Sequence, residues 1–241
     1  MAKSVVILGV GASNGVGGAL ARRFAKEGLH AIVAGRTLEK VEAVAEEIRA
    51  TGASAEAARV DVTSADDQDA LFDRVASRGE VGAVLYNAGN NAIIPFEQLD
   101  ADTYEAFWRV GTFGAFLTAK RAIPVLKSQG EGSLLFTGAS GSMRGKANFA
   151  HFASMKAGLR MLAQSLAREF GPVGIHVAHV VIDGIIDGDY VSERFGEYLD
   201  HLGEDGALKP DAIADAFWHL HTQHRSAWTH ELDLRPFKEN W

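Results

Sequence analysis

Ser4-Val5-Val6-Ile7-Leu8-Gly9-Val10-Gly11-Ala12-Ser13-Asn14-Gly15-Val16-Gly17 is an apolar run that breaks into glycines and leads into a helical pattern. An unbroken apolar run of this length reads as a strand covered on both faces, the condition of a parallel sheet. Glycines after such a strand permit a tight turn, close backbone approach to a pyrophosphate, and close packing of the next helix on the strand. The helix start also offers unpaired N–H groups and the positive end of its dipole. The spacing Gly11-x-x-x-Gly15-x-Gly17 departs from the commoner dinucleotide fingerprint, so the surrounding elements must decide the fold.

Working outward, the same alternation continues along the chain. Strands are expected at Ser4–Val10, Ala31–Gly35, Ser54–Asp61, Ala83–Tyr86, Ser133–Thr137, Ile175–Ile182 and Glu231–Leu234. Helical patterns lie between them at Gly17–Glu27, Leu38–Ala50, Ala65–Arg78, Ala101–Ser128, His151–Phe170 and Pro210–His224. A β-α-β-α rhythm implies right-handed crossovers. The expected fold is therefore α/β: a single Rossmann-type domain over 1–241, a doubly wound parallel sheet of about seven strands with helices on both faces. The stretch 183–207 breaks the rhythm with five glycines and eight acidic residues. Following a strand's carboxyl end, it reads as a lid or substrate segment carrying a short helix at Val191–His201, with a plain surface loop as the alternative.

Composition narrows the function. The 241 residues carry 24 Lys plus Arg against 31 Asp plus Glu, a net charge of −7, which disfavours nucleic acid as a partner. There is no Cys, so disulfides, thiolate metal sites and cysteine nucleophiles are excluded. No stretch approaches the roughly 18 apolar residues of a membrane span, and the expected location is cytoplasmic. His219, His221 and His224 crowd one late helix, but its Ile213, Phe217 and Leu220 give it an ordinary core face, and no metal is expected there.

The glycine spacing resembles that of the short-chain dehydrogenase/reductase family, and further matches follow over nearly the whole chain. Asp61-Val62-Thr63 stands where the family contacts adenine, Asn87-Ala88-Gly89 resembles its Asn-Ala-Gly turn, and Lys156 lies on the helix that normally carries Tyr-x-x-x-Lys. Asp183-Gly184 takes the place of a Pro-Gly turn, with Ile186 just beyond. The resemblance implies a dinucleotide held by Gly11, Ser13, Asn14, Gly15, Val16, Gly17, Asp61, Val62, Asn87, Ala88, Gly89, Lys156, Gly184 and Ile186. It also implies a small-molecule substrate and a homodimer or homotetramer formed through the long helices.

At the end of the second strand, Gly35 stands where an NAD enzyme places an acid for the ribose 2′-hydroxyl, and Arg36-Thr37 follows. A guanidinium can hold the 2′-phosphate of NADP by charge-assisted bonds, so NADP(H) is expected over NAD(H).

The reaction centre departs from the family. The resemblance would supply a Tyr that protonates the carbonyl oxygen, a Ser that bonds it, an Asn that supports a water relay, and a Lys on the nicotinamide ribose. Here those places hold Phe152, Ala139, Gly111 and Lys156, the Phe-x-x-x-Lys pattern of a divergent subgroup. Phe has no proton to give, and positioned acid–base catalysis contributes about 10²–10⁴-fold. Ser140, one residue after the missing Ser, is the candidate replacement, with Ser142 a further one. His151 is rotated about 100° from Phe152 and reads as a surface or interface residue. Asp183 reads as a turn cap, or as an acid if buried. Two functions remain open: an atypical NADP-dependent oxidoreductase on a small carbonyl or alcohol, or a catalytically silent NADP(H)-binding sensor or partner subunit.

Overall fold

A computed structural model describes residues 2–239. Its seven strands are β1 (Ser4–Leu8), β2 (His30–Gly35), β3 (Ala55–Arg59), β4 (Val81–Tyr86), β5 (Ser133–Thr137), β6 (His176–Ile182) and β7 (Glu231–Leu234). All neighbouring pairs are parallel, in the order β3-β2-β1-β4-β5-β6-β7. The helices are α1 (Val16–Lys26), α2 (Leu38–Ala50), α3 (Ala65–Arg78), α4 (Ala101–Trp108), α5 (Gly114–Gln129), α6 (Ala150–Phe170), α7 (Asp189–Leu202) and α8 (Pro210–Thr222). Alternate strand residues feed two cores. Val5, Ile7 and Val33 pack under α1, α2 and α8, whereas Val6, Leu8 and Ile32 pack under α3, α5 and α6. Strands buried on both faces explain why their sequences are continuous apolar runs.

One expected helix is interrupted. Ala101–Ser128 divides at a π-helical turn, Arg109–Phe113, between α4 and α5. Tyr86 Oη donates to the Val110 carbonyl and Thr112 Oγ1 donates to Met155 O at 2.8 Å, which ties the turn to the sheet and to α6. Gly114 allows this approach, since a Cβ there would lie 2.5 Å from Tyr86 Oη. The remaining elements lie within a few residues of their expected bounds. In the segment 183–207 the helix is longer than expected, α7, and bends at Phe195.

The chain runs from β1 outward to β3, then returns to β4 on the other side of β1. Ligands of such sheets bind at this reversal, outside the strand carboxyl ends. Here the two turns meet closely: Gly9 sits at φ +88°, and a Cβ on it would lie 2.3 Å from Ala88 N. Gly9→Ala should therefore destabilise the protein by about 2–4 kcal/mol, combining a left-handed backbone with an overlap no side chain can relieve. Urea denaturation checks this, and a loss under about 0.5 kcal/mol, the range of a neutral surface change, would contradict it.

Candidate active site

The carboxyl ends of β1, β4 and β5 are joined by a polar ladder. Asn87 Nδ2 donates to Gly9 O at 3.1 Å, Thr137 Oγ1 donates to Asn87 Oδ1 at 3.0 Å, and Lys156 Nζ donates to Thr137 O at 2.8 Å. Lys156 is 4% exposed, and burial alone pulls its ammonium down to about 8. That bond uses one of its three donors. The head lies against Gly89, where a Cβ would stand 3.2 Å from Nζ.

Gly15 caps α1 without a side-chain hydrogen bond, and the first turn holds no acid, so its N–H groups are free to face an anion. Gly11 is exposed, with open space where a side chain would be. Val16 faces the core, and Gly17 must be small because a Cβ would come 2.9 Å from Val10 Cα. Ser13 is engaged within the protein: its hydroxyl donates to Glu47 and accepts from Arg22 Nη1 at 3.0 Å. Asn14 is exposed, and its carbonyl accepts from the Asp189 amide at 3.1 Å, which brings the start of α7 onto the glycine turn.

Arg36, Thr37 and Lys40 line a groove of about 250 Å³ that continues past Val62 and Ala88 to Asn90. At Gly35 a Cβ would lie 2.2 Å from Val10 O, so no side chain fits at the end of β2, and Arg36 is the first residue free to reach a ligand. Lys40, one turn along α2, was missed in the sequence; its signal was the three- to four-residue spacing from Arg36 and Thr37. Asp61 Oδ1 accepts from the Thr63 amide at 2.9 Å and its hydroxyl at 2.8 Å. Burial raises this carboxyl, but those bonds and the Arg36 and Arg59 charges outweigh it and hold it below the ordinary range.

The reaction side differs in detail from expectation. Phe152 lies over Gly141, with its ring 2.9 Å from where a Cβ would stand. Gly111 also has no room for a side chain, since a Cβ would overlap Met155 Cγ at 1.9 Å. The Met155 thioether thus fills the volume that an Asn would need. Ser142, rather than Ser140, brings its hydroxyl to Ala139, accepting from Ala139 N at 3.1 Å. Ser140 makes no side-chain hydrogen bond among the described residues, and its carbonyl accepts from the Met143 and Arg144 amides.

Two further expectations are corrected. His151 is 1% exposed, packed edge-on against Phe107 at 4.3 Å, and is not a surface residue. The π turn brings α4 against α6 and covers it. Asp183 is no turn cap: it is buried and accepts from Arg144 Nη2 at 2.8 and 3.0 Å, with Arg235 3.7 Å away. Paired charge, not turn geometry, decides its role. Gly184 beside it lies against Pro236, and Ile186 bridges to Leu208 at the base of the segment that carries α7.

A polar chain runs inward from Ser142. Its hydroxyl lies 3.3 Å from His179 Nε2, His179 Nδ1 lies 3.1 Å from Glu231 Oε2, and Arg160 holds both Glu231 oxygens at 2.6 and 2.7 Å. The sequence signal for His179 was a polar residue inside the apolar β6 run. A larger cavity, about 450 Å³, lies at the opposite, amino end of the strands between Lys3, Glu131, His176 and Trp228, away from all these groups.

Among the described residues no helix is long and apolar enough to cross a membrane, and no three His, Cys, Asp or Glu side chains gather as a metal site. The Gly111–Met155 contact makes a direct prediction. Gly111→Asn should cost about 1–3 kcal/mol by overpacking, and Met155→Ala in the same chain should recover much of it. A double-mutant cycle of unfolding free energies checks this; strict additivity would contradict the shared volume.

The sequence profile described as short chain dehydrogenase matches residues 5–197. The uncharacterized oxidoreductase YuxG of Bacillus subtilis is 35% identical over 190 residues, covering 77% of this chain but only 28% of that longer protein. A short-chain dehydrogenase structure from Rhodopseudomonas palustris is 31% identical, covers 98% of this chain and 99% of its own, and superposes with a TM-score of 0.83. A metagenomic short-chain oxidoreductase solved in complex with NADP is 25% identical, covers 97% of each chain, and has the same TM-score, 0.83.

Proposed function

The chain belongs to the short-chain dehydrogenase family, and from that premise we propose that it is an NADP(H)-dependent oxidoreductase acting on the alcohol or carbonyl of a small, largely apolar substrate. The observation that carries the reading is the pair of cations, Arg36 and Lys40, lining the groove where Gly35 leaves no space for an acid. An acid at that point would favour a ribose 2′-hydroxyl; two cations favour a 2′-phosphate. The similar protein solved with NADP supports the same cofactor class.

The residues present fit a dinucleotide. Gly11 leaves open space and Gly15 caps α1 with no side-chain bond, which would let the first N–H groups of the helix meet the pyrophosphate, with Asn14, Val16 and Gly17 completing the turn. Arg36, Lys40 and Thr37 would take the 2′-phosphate, and Asp61 and Val62 the adenine end. Asn87, Ala88 and Gly89 would form the floor beneath the riboses. Lys156, with donors to spare beside Gly89, would hold the nicotinamide ribose diol, and Gly184 and Ile186 would border the nicotinamide. When bound, the cofactor supplies hydride exchange at carbon. Phe149 and Phe152, packed edge to face at 6.4 Å, would give the substrate an apolar wall. The exposed Trp108, Phe116 and Met161 on α4, α5 and α6 are the surface through which copies of the chain would associate.

The second reading is an NADP(H)-binding sensor or partner subunit without turnover. Phe152, Ala139 and the filled space at Gly111 favour it, because each removes a group the family uses. Phe152→Tyr with Ala139→Ser separates the two. Reductase activity that appears in the double variant and is absent from the parent supports the silent reading; activity in the parent supports the enzyme.

The cofactor assignment has its own test. Arg36→Asp with Lys40→Glu should weaken NADPH binding by about 10²-fold while sparing NADH, since two charge-assisted contacts are lost and replaced by repulsion. Fluorescence titration measures both nucleotides. Unchanged NADPH affinity would overturn the assignment.

A further inference from the structure

We propose that Ser142, His179 and Glu231 form a proton relay that accepts the substrate's hydroxyl proton during alcohol oxidation, in place of the tyrosine this chain lacks. The inference rests on the oxidoreductase reading above. It begins from geometry: Ser142 Oγ accepts from the main-chain N of Ala139 at 3.1 Å, which holds a hydroxyl next to the position where the family's Ser is missing. Ser142 is 5% exposed and His179 fully buried, so the chain of contacts is shielded from water until it reaches Glu231, which is a quarter exposed. Its outer end, Glu231, lies on β7, the edge strand of the sheet.

The hydrogen-bond directions are fixed by charge. Arg160 bonds both oxygens of Glu231 and, with His179, holds that carboxyl below the ordinary range against the cost of burial. An ionised carboxylate only accepts, so His179 Nδ1–H donates to it and Nε2 is left with its lone pair. Ser142 O–H must then donate to Nε2. This is the carboxylate–imidazole–hydroxyl order that readies a hydroxyl to pass on a proton. Gly138 permits it, because a Cβ there would stand 2.2 Å from His179 Nε2.

The groups facing the ring are Ser142 after β5, Glu231 on β7, and Lys156 and Arg160 on α6. Burial first, then the two cations, push the imidazole down to about 4 against the pull of Glu231, so it rests neutral and able to accept. In the oxidation the substrate O–H bond breaks and its proton passes to Ser142 Oγ. The Ser142 proton moves to His179 Nε2, and the imidazolium formed lies against the Glu231 carboxylate. The carbonyl double bond forms as the carbon gives its hydride to NADP⁺. The imidazolium then loses its proton to solvent, so the sum is alcohol plus NADP⁺ giving ketone, NADPH and H⁺. The route is needed here because Phe152 carries no proton and Met155 fills the space of an Asn-supported water path.

The test joins a spectroscopic and a kinetic measurement. Histidine-selective ¹⁵N NMR of the wild-type full chain, with His179 assigned by through-bond correlation to its own backbone, should show protonated Nδ1 and bare Nε2. A proton on Nε2 overturns the relay, and this readout stands even where a variant fails to fold. For kinetics, NADP⁺ is supplied with a panel of secondary alcohols: cyclohexanol, 1-indanol and 1-tetralol. Ser142→Ala and His179→Gln should each lower kcat by about 10²-fold or more, with NADPH affinity and KM unchanged. Ser142→Thr should retain most of the activity. The wild-type acid limb should titrate well below 6.5, the ordinary histidine value, and vanish in His179→Gln. Variants that turn over like the wild type overturn the relay, as does a wild type that binds NADPH yet oxidises no member of the panel; in that case cofactor binding still stands. A wild type that binds neither NADPH nor NADP⁺ overturns both.

Discussion

The contact on which the rest depends is the approach of two backbones at the sheet's reversal, Gly9 against Ala88, locked by Asn87 bridging Gly9 O and Thr137 Oγ1. Neighbouring parallel strands have no covalent link at their carboxyl ends, so side chains must set the spacing there. Asn87 does this for three strands at once. Its last consequence is Lys156, whose head bonds the Thr137 carbonyl and is thereby fixed beside Gly89. A buried ammonium is costly, and it is held here by a framework already built. The ladder thus connects the fold to the position where a nucleotide ribose would lie.

From this framework the two halves of the crevice diverge. On the β1–β2 side, every close contact demands a small residue or leaves an open turn, and the cations of Arg36 and Lys40 border the groove. On the β5–α6 side, the close contacts are apolar. Met155 occupies the volume above Gly111, and Phe152 covers Gly141. These side chains fill the space beside both glycines and keep the packing dense. Polar character survives one layer deeper, in Ser142, His179 and Glu231.

How much of this was legible in the sequence follows from what each feature depends on. Strands and helices are encoded locally, and β5, β7, α2 and α3 fall on their expected bounds. The break between α4 and α5 was not legible, because it arises from Tyr86 and Thr112 reaching carbonyls far along the chain. Arg36 could be read from its place after a strand, whereas Lys40 needed the turn of α2. The sequence reads His151 as a surface or interface residue and Asp183 as a turn cap, or an acid if buried, since neither Phe107 nor Arg144 is a neighbour in sequence. Ser142 outranked Ser140 only once the 3₁₀ turn Ser140–Ser142 carried its hydroxyl back to Ala139. Contacts between residues far apart in the chain were the hidden part.

The central proposal is that this crevice binds NADP(H) next to the apolar contacts of Phe152 and Met155. Isothermal calorimetry of the unmodified protein with NADPH, and separately with NADH, tests it most directly. The account predicts one saturable site per chain for NADPH, with NADH at least about tenfold weaker, a difference of about 1.4 kcal/mol. Equal affinity for the two would contradict the role given to Arg36 and Lys40, and no heat with either would contradict nucleotide binding itself.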